Sequence, residues 1–179
     1  MIGRNVADCD KHQDVQEYTY LQQFVDNLPY IAMAFLGAAI FVLGLQRPFW
    51  GYLTAGLYVL YSIVGSLWII VFVCPYCHFF DTMACPCGYG RIAAKFRPRR
   101  DGDLFMRKFK KNIPVIFPLW IVPVVAGVIF LISGFSLLML VLLLLFAVNS
   151  FAILPLISRK YGCAHCPQRD TCPWMNIMG

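Results

Sequence analysis

The chain has 179 residues, of which 60% are hydrophobic and only 13% are charged, and its formal net charge is +6. Together with a mean hydropathy of +0.67, this composition excludes an ordinary soluble domain and is typical of a protein that crosses the membrane several times. We therefore expect the lipid bilayer to be its main surroundings.

Residues 1–27 are polar and mostly acidic, and they lack the features of a cleaved signal peptide, so we expect them to stay attached. Four uncharged stretches follow, at residues 30–45, 52–73, 115–132 and 135–157. At about 1.5 Å per residue, these lengths suit roughly 30 Å of hydrocarbon. The sequence predicts an all-α integral membrane protein with four transmembrane helices.

The spans group into two tandem helical hairpins, each followed by a cysteine-rich loop. After the polar N-terminal segment 1–27, we expect a first hairpin with its cysteine motif at residues 28–90. A basic amphipathic loop at 91–112 and a second hairpin with a C-terminal cysteine motif at 113–179 complete the chain.

The basic residues predict the orientation of these spans. Four spans place the N-terminus, the middle loop and the C-terminus on one side, and Arg47 alone among the 15 Lys and Arg residues lies on the other. Because Lys and Arg accumulate in cytoplasmic loops, we expect both termini and all eight cysteines to be cytoplasmic, in a bacterial or archaeal inner membrane. A reducing compartment argues against structural disulfides and favours metal ligation or a catalytic thiol.

A cysteine motif occurs twice, once after each hairpin. Both copies consist of a C-x2-C pair, an Asp-Thr dipeptide and a Cys-Pro dipeptide, and the first copy has two extra residues before its last cysteine. The motif cysteines are Cys74, Cys77, Cys85, Cys163, Cys166 and Cys172. Because both copies follow an even-numbered span, we interpret them as parallel internal repeats.

The spacing of these cysteines predicts metal binding. A C-x2-C pair places two sulfurs on one tight turn, where they can hold one metal or one corner of a cluster. Proline after a cysteine removes a backbone donor and fixes the turn. With Cys87 and Cys9 as the remaining ligands, eight cysteines divide into two sets of four. We therefore predict iron–sulfur clusters of the 4Fe-4S type as the first candidate cofactor.

Zinc is the strongest alternative. Both C-x2-C pairs could join the two halves of the chain through one structural zinc site, and His78 and His165 offer nitrogen ligands. The chain would then be a membrane scaffold or partner-binding protein.

Thiol–disulfide exchange is the second alternative, because Cys74-Pro-Tyr-Cys77 is identical to the glutaredoxin active-site tetrapeptide. That motif depends on a helix N-terminus, which lowers the thiol pKa. Here the tetrapeptide follows the end of a predicted helix, where the helix dipole disfavours a thiolate.

The basic loop carries nine Lys and Arg residues between Arg91 and Lys111, interleaved with aromatic and aliphatic residues. This pattern is typical of a segment that lies on an anionic leaflet, and the positive-inside rule alone also explains it. A short basic stretch tethered to a bilayer is a poor nucleic-acid site, so we expect no nucleic-acid partner.

The hairpin-plus-motif pattern resembles the membrane ferredoxin-like subunits found with nitrate and nitrous oxide reductase systems. In those subunits, helical hairpins are followed by cytoplasmic Cys-x3-Cys-Pro motifs. The pair Cys163-x2-Cys166-Pro167 is one residue shorter, and Cys77 is followed by His78 rather than proline. The shared features are therefore the hairpins and the position of the motifs.

Together these observations predict a membrane-integral electron-transfer subunit. It would relay electrons between a partner protein and the quinone pool, within a larger membrane or peripheral oxidoreductase complex. We assign no catalytic residue and expect a non-catalytic subunit. Tyr58, Tyr61, Ser62 and Ser66 could border a quinone headgroup, and Asn149 is expected to form an interhelical hydrogen bond.

Overall fold

The computed structural model describes residues 17–162. In that part of the chain all regular structure is helical, and four helical segments are long and apolar enough to cross a membrane. These segments are Tyr20–Gly44, Pro48–Tyr76, Gly102–Ser133 and Leu137–Lys160. The predictions of an all-α chain and of four candidate spans are confirmed.

The α-helices are α1 (Tyr20–Gly44), α2 (Pro48–Phe72), α3 (Tyr89–Ala94), α4 (Phe105–Asn112), α5 (Pro118–Ser133), α6 (Leu137–Val148) and α7 (Leu154–Ile157). Short 3-10 turns lie between some of them, at Cys74–Tyr76, Gly102–Leu104 and Ile113–Ile116. The last span contains two π-helical turns, at Asn149–Ile153 and Ser158–Gly162.

Helix α1 begins well before the first uncharged stretch. Thr19 and Gln22 form a reciprocal capping box, in which the Gln22 N–H donates to Thr19 Oγ1 (3.4 Å) and the Thr19 N–H donates to Gln22 Oε1 (2.9 Å). These bonds satisfy backbone donors that the first helical turn would otherwise leave unpaired. The last residues of the predicted polar segment therefore form the first turns of α1.

The core of the bundle lies around α1, which packs against α2, α5 and α6. Most other apolar side chains of the spans are exposed, as expected for helices that face lipid. The buried cluster consists of Met33, Ile40, Phe41, Ala55, Tyr58, Leu119, Met139 and Phe146.

Two polar side chains tie the helices together. Gly37 on α1 leaves room for the ring of Tyr58, whose hydroxyl donates to the carbonyl oxygen of Leu119 on α5 (2.8 Å). Asn149 Nδ2 donates to the Pro29 carbonyl on α1 (2.9 Å). The interhelical hydrogen bond expected of Asn149 is therefore confirmed, and small residues allow the close helix contacts common in membranes.

Proline divides the third span. Helix α4 ends at Asn112, a 3-10 turn with Pro114 follows, and α5 begins at Pro118. Because proline lacks a backbone N–H and restricts the preceding residue, it favours the first turn of a new helix over the middle of a long one.

Candidate thiol site

The described cysteines lie in the loop between α2 and α3, at residues 73–88. The apolar helix α2 ends at Phe72, and Cys74 opens a 3-10 turn directly after it. Pro75 follows at the start of that turn, and the Cys77 N–H donates to the Cys74 carbonyl (3.0 Å). The first C-x2-C pair is therefore folded into one tight turn at the end of a candidate span.

The second pair, Cys85 and Cys87, lies on a turn that leads into α3. The Gly88 N–H donates to the Cys85 carbonyl (3.1 Å), and the Gly90 N–H donates to Cys85 Sγ (3.4 Å). Gly88 has a φ of +73°, a conformation that residues with a Cβ rarely adopt. The Gly90 N–H therefore fixes the position of the Cys85 sulfur relative to the start of α3.

The Cys74 thiol has the other three described thiols in its surroundings. Cys74 is within electrostatic reach of Cys77, Cys85 and Cys87, although up to 13 residues separate them in sequence. All four side chains are half-buried, and none forms a disulfide. Within residues 17–162, no three Cys, His, Asp or Glu side chains already converge as a metal-binding group. Metal binding in this loop would therefore require the thiols to rotate toward a common point.

Two amide side chains of α1 hold this loop. Gln23 Nε2 donates to the Cys85 carbonyl (3.2 Å), and Asn27 Nδ2 donates to the Cys87 carbonyl (3.0 Å). Gln23 is buried, and its position four residues before Asn27 places both amides on one face of the helix. Neither residue was predicted from the sequence, in which the available signal was this i,i+4 pair of amides just before the first uncharged stretch.

A small apolar cluster supports the other side of the loop. Ile70, Phe80 and Ala93 are buried together, and Cys74 and Tyr89 pack against them. Burial raises the pKa of the Tyr89 hydroxyl; the nearby Cys87 thiol also raises it, and a hydrogen bond to Ser66 opposes the rise. Tyr89 is therefore a neutral hydroxyl next to the thiols at physiological pH.

Ser66 connects this region to α1. Its hydroxyl donates to the Tyr30 hydroxyl (3.1 Å), and the Tyr30 hydroxyl donates to the Ser62 carbonyl (2.9 Å). Tyr30, Ser62 and Ser66 also line an otherwise largely apolar groove of about 260 Å³ between α1 and α2. A chain of hydroxyl groups thus extends from Tyr89 toward the membrane face of the bundle.

Other predicted site residues lie elsewhere. The half-buried His78 ring contacts Phe79 edge-on, with 5.7 Å between the ring centroids. Asp81 is exposed with a φ of +59° and helps the loop to turn, as its role as a turn former predicts. The remaining predicted ligands lie outside the described residues; they are Cys9, Cys163, Cys166, Cys172 and His165.

Comparison with known proteins identifies no relative: the chain matches no protein-family model, no curated protein and no solved structure.

Proposed function

We propose that this chain is a membrane-integral electron-transfer subunit whose cysteine loop holds a thiolate-ligated iron–sulfur centre. The observation that carries the proposal is that two neighbouring turns of one loop place Cys77, Cys85 and Cys87 within electrostatic reach of Cys74, with all four side chains half-buried. Four thiols make a complete ligand set for one 4Fe-4S centre. Such a centre, when bound, supplies reversible one-electron transfer.

The residues of the loop suit this cofactor in their chemistry. Cys74, Cys77, Cys85 and Cys87 would be its ligands, and the Gly90 N–H that donates to Cys85 Sγ is the type of contact that tunes cluster potentials. Gln23 and Asn27 hold the ligand backbone, so they would position the sulfurs without contacting the metal. We further propose a second centre, at Cys163, Cys166, Cys172 and Cys9.

We propose two tandem hairpins with both termini and both cysteine motifs on the cytoplasmic face of a bacterial or archaeal inner membrane. The support is the distribution of Lys and Arg, of which only Arg47 lies in the turn between α1 and α2. Reporter fusions at Gln46 and at Gly102 test this orientation. We expect a cytoplasmic signal at Gly102 only, and the reverse pattern would contradict it.

A quinone is the proposed membrane partner. The groove lined by Tyr30, Ser62 and Ser66 combines an apolar wall with hydroxyl groups that would exchange a present hydrogen bond for one to a quinone carbonyl. Tyr89 joins this hydroxyl chain through its hydrogen bond to Ser66 and lies near Cys87, so hydrogen bonds link the groove to the thiol loop. The other electron partner would be a protein of a larger membrane or peripheral oxidoreductase complex, without nucleic acid.

Structural zinc is the second candidate function. The four described cysteines would complete a zinc site with four thiolate ligands from one loop, without the second repeat and without His78. The loop is held to α1 by amide hydrogen bonds, as a structural element would be. Zinc would then stabilise the loop and supply no electron transfer.

The visible spectrum and metal content of anaerobically purified protein separate these proposals. We expect iron with acid-labile sulfide and a broad absorbance near ~400 nm that dithionite bleaches. Colourless protein with stoichiometric zinc would overturn the iron–sulfur proposal in favour of the structural one. Protein that retains neither metal would contradict both. The His78→Ala variant is the matched control, and its metal content should equal that of the wild type.

A further inference from the structure

A second site, separate from the thiols, lies beside the last turns of α2. It is a cavity of about 380 Å³ with a cationic side and an apolar side. The cationic side carries Arg97, Arg100, Lys108 and Lys111. Trp68, Val71 and Phe72, on α2, form the apolar side.

The four cations come from two elements that are each anchored to the end of α2. Arg97 and Arg100 follow α3, and the Arg100 N–H donates to the Pro75 carbonyl (2.8 Å). Lys108 and Lys111 are three residues apart on α4, so they share one face of that helix.

Helix α4 is fixed by Asn112, which also lines the cavity. Its Oδ1 accepts a hydrogen bond from Trp68 Nε1 (3.0 Å), and its Nδ2 donates to the Lys108 carbonyl (2.7 Å). Backbone and side-chain bonds therefore hold both pairs of cations around one space.

The positive charge of this space is not offset by its walls. No described carboxylate lines the cavity. The nearest acidic residues in sequence are Asp101 and Asp103; both are exposed, and Asp101 accepts the Asp103 N–H (3.0 Å) within their own turn. Lys108 Nζ lies 5.4 Å from the centre of the Tyr76 ring, so a cation–π contact partly stabilises this charge. An anionic ligand would compensate the four charges.

We propose that this cavity binds one anionic phospholipid, with the phosphate-bearing headgroup among the four cations and an acyl chain along Trp68, Val71 and Phe72. The apolar wall is part of a candidate membrane span, so lipid reaches it from the bilayer. Basic residues at the end of a span attract anionic headgroups, and indole rings prefer the same interfacial level. A soluble phosphate carries the same anionic group as the headgroup, but it has no acyl chain to contact the apolar side of the cavity.

The test compares two triple variants with identical changes in charge. The cavity triple is Arg97→Gln, Arg100→Gln and Lys111→Gln; the control triple is Arg99→Gln, Arg107→Gln and Lys110→Gln. All six side chains are exposed, and the control residues do not line the cavity. Lipid binding is measured by native mass spectrometry of the full chain in detergent, titrated with phosphatidylglycerol or with phosphatidylcholine.

We expect the wild type and the control triple to bind one phosphatidylglycerol more tightly than phosphatidylcholine. The cavity triple should lose at least about tenfold in this affinity, because three nearby cations are removed. Equal losses in both triples would assign the effect to general leaflet attraction and overturn the site.

A second variant, Val71→Trp, fills the apolar side and leaves every charge in place. It should weaken phosphatidylglycerol binding and leave binding of inorganic phosphate unchanged. Unchanged lipid binding in this variant, or displacement of the lipid by inorganic phosphate at equal concentration, would overturn the proposal in favour of a soluble anion.

Discussion

The thiol site and the basic cavity share one turn and are built in different ways. In the segment Cys74–Cys77, the two cysteines belong to the thiol cluster, whereas Pro75 and Tyr76 line the basic cavity. The thiol loop is fixed by amides that bond to its backbone, and its chemistry depends on a few half-buried sulfurs. The cavity presents four long cationic side chains, three of them exposed.

This difference indicates how each site should respond to substitution. A metal centre needs a complete ligand set, so the loss of one or two thiols removes it. Several cations each contribute to the attraction of an anionic headgroup. The loss of one cation should therefore weaken lipid binding only partly. Substitutions on the two sides of the shared turn should therefore have separable effects.

The largest effect is expected from Cys85→Ser combined with Cys87→Ser. The pair supplies half of the proposed ligands in this loop, so the loop should lose its metal. With two proposed centres, the metal content of the chain should fall by at least about half. Phosphatidylglycerol binding should stay at the wild-type level. Elemental analysis and native mass spectrometry measure the two quantities, and an unchanged metal content would exclude these cysteines as ligands.

An intermediate effect is expected from Gln23→Leu combined with Asn27→Leu. The change removes the side-chain donors from α1 to the Cys85 and Cys87 carbonyls. Each lost bond should reduce the free energy of unfolding by about 0.5–1.5 kcal/mol. Metal affinity should fall about tenfold or more, because the ligand backbone is no longer positioned.

Thermal denaturation in detergent and competition with a chelator measure these two losses. Gln46→Leu is the control for the first of these substitutions, since it makes the same Gln→Leu change on the exposed turn between α1 and α2. If the double variant behaved like this control, the hydrogen bonds from α1 would have no part in holding the thiol loop.

The smallest effect is expected from Tyr76→Leu, within the shared turn itself. The change removes the ring next to Lys108 Nζ, an interaction worth about 0.5–1 kcal/mol at an exposed site. Phosphatidylglycerol affinity should therefore fall by about twofold to fivefold, and metal content should not change. Tyr52→Leu, at the other end of α2, is the control. A loss of metal in Tyr76→Leu would show that the two sites are coupled through the turn.

The spans could be predicted from the sequence because bilayer thickness sets a length that an uncharged stretch must reach. The turns at Cys74–Cys77 and Cys85–Cys87 could also be predicted, because cysteine spacing and proline restrict the backbone of neighbouring residues. Cys87, predicted as the fourth member of the first set, lies within electrostatic reach of Cys74, and its role as a ligand stays a prediction.

The contacts that hold the loop could not be predicted in the same way. Gln23 and Cys85 are 62 residues apart in sequence, and no local pattern pairs them. The basic segment was predicted as a stretch along the leaflet. Its folding around Trp68 depends on Asn112 and on the backbone of Pro75, both known only once the elements are packed.

X-ray absorption at the iron and zinc edges of the wild-type protein tests the central claim most directly. We predict iron surrounded by sulfur alone, with a second shell of iron atoms, and a decrease of this signal in the Cys85→Ser, Cys87→Ser variant. Iron bound only by oxygen and nitrogen would contradict the account. So would an absence of iron together with an all-sulfur shell around zinc, at about 2.3 Å, which would make the loop a structural site.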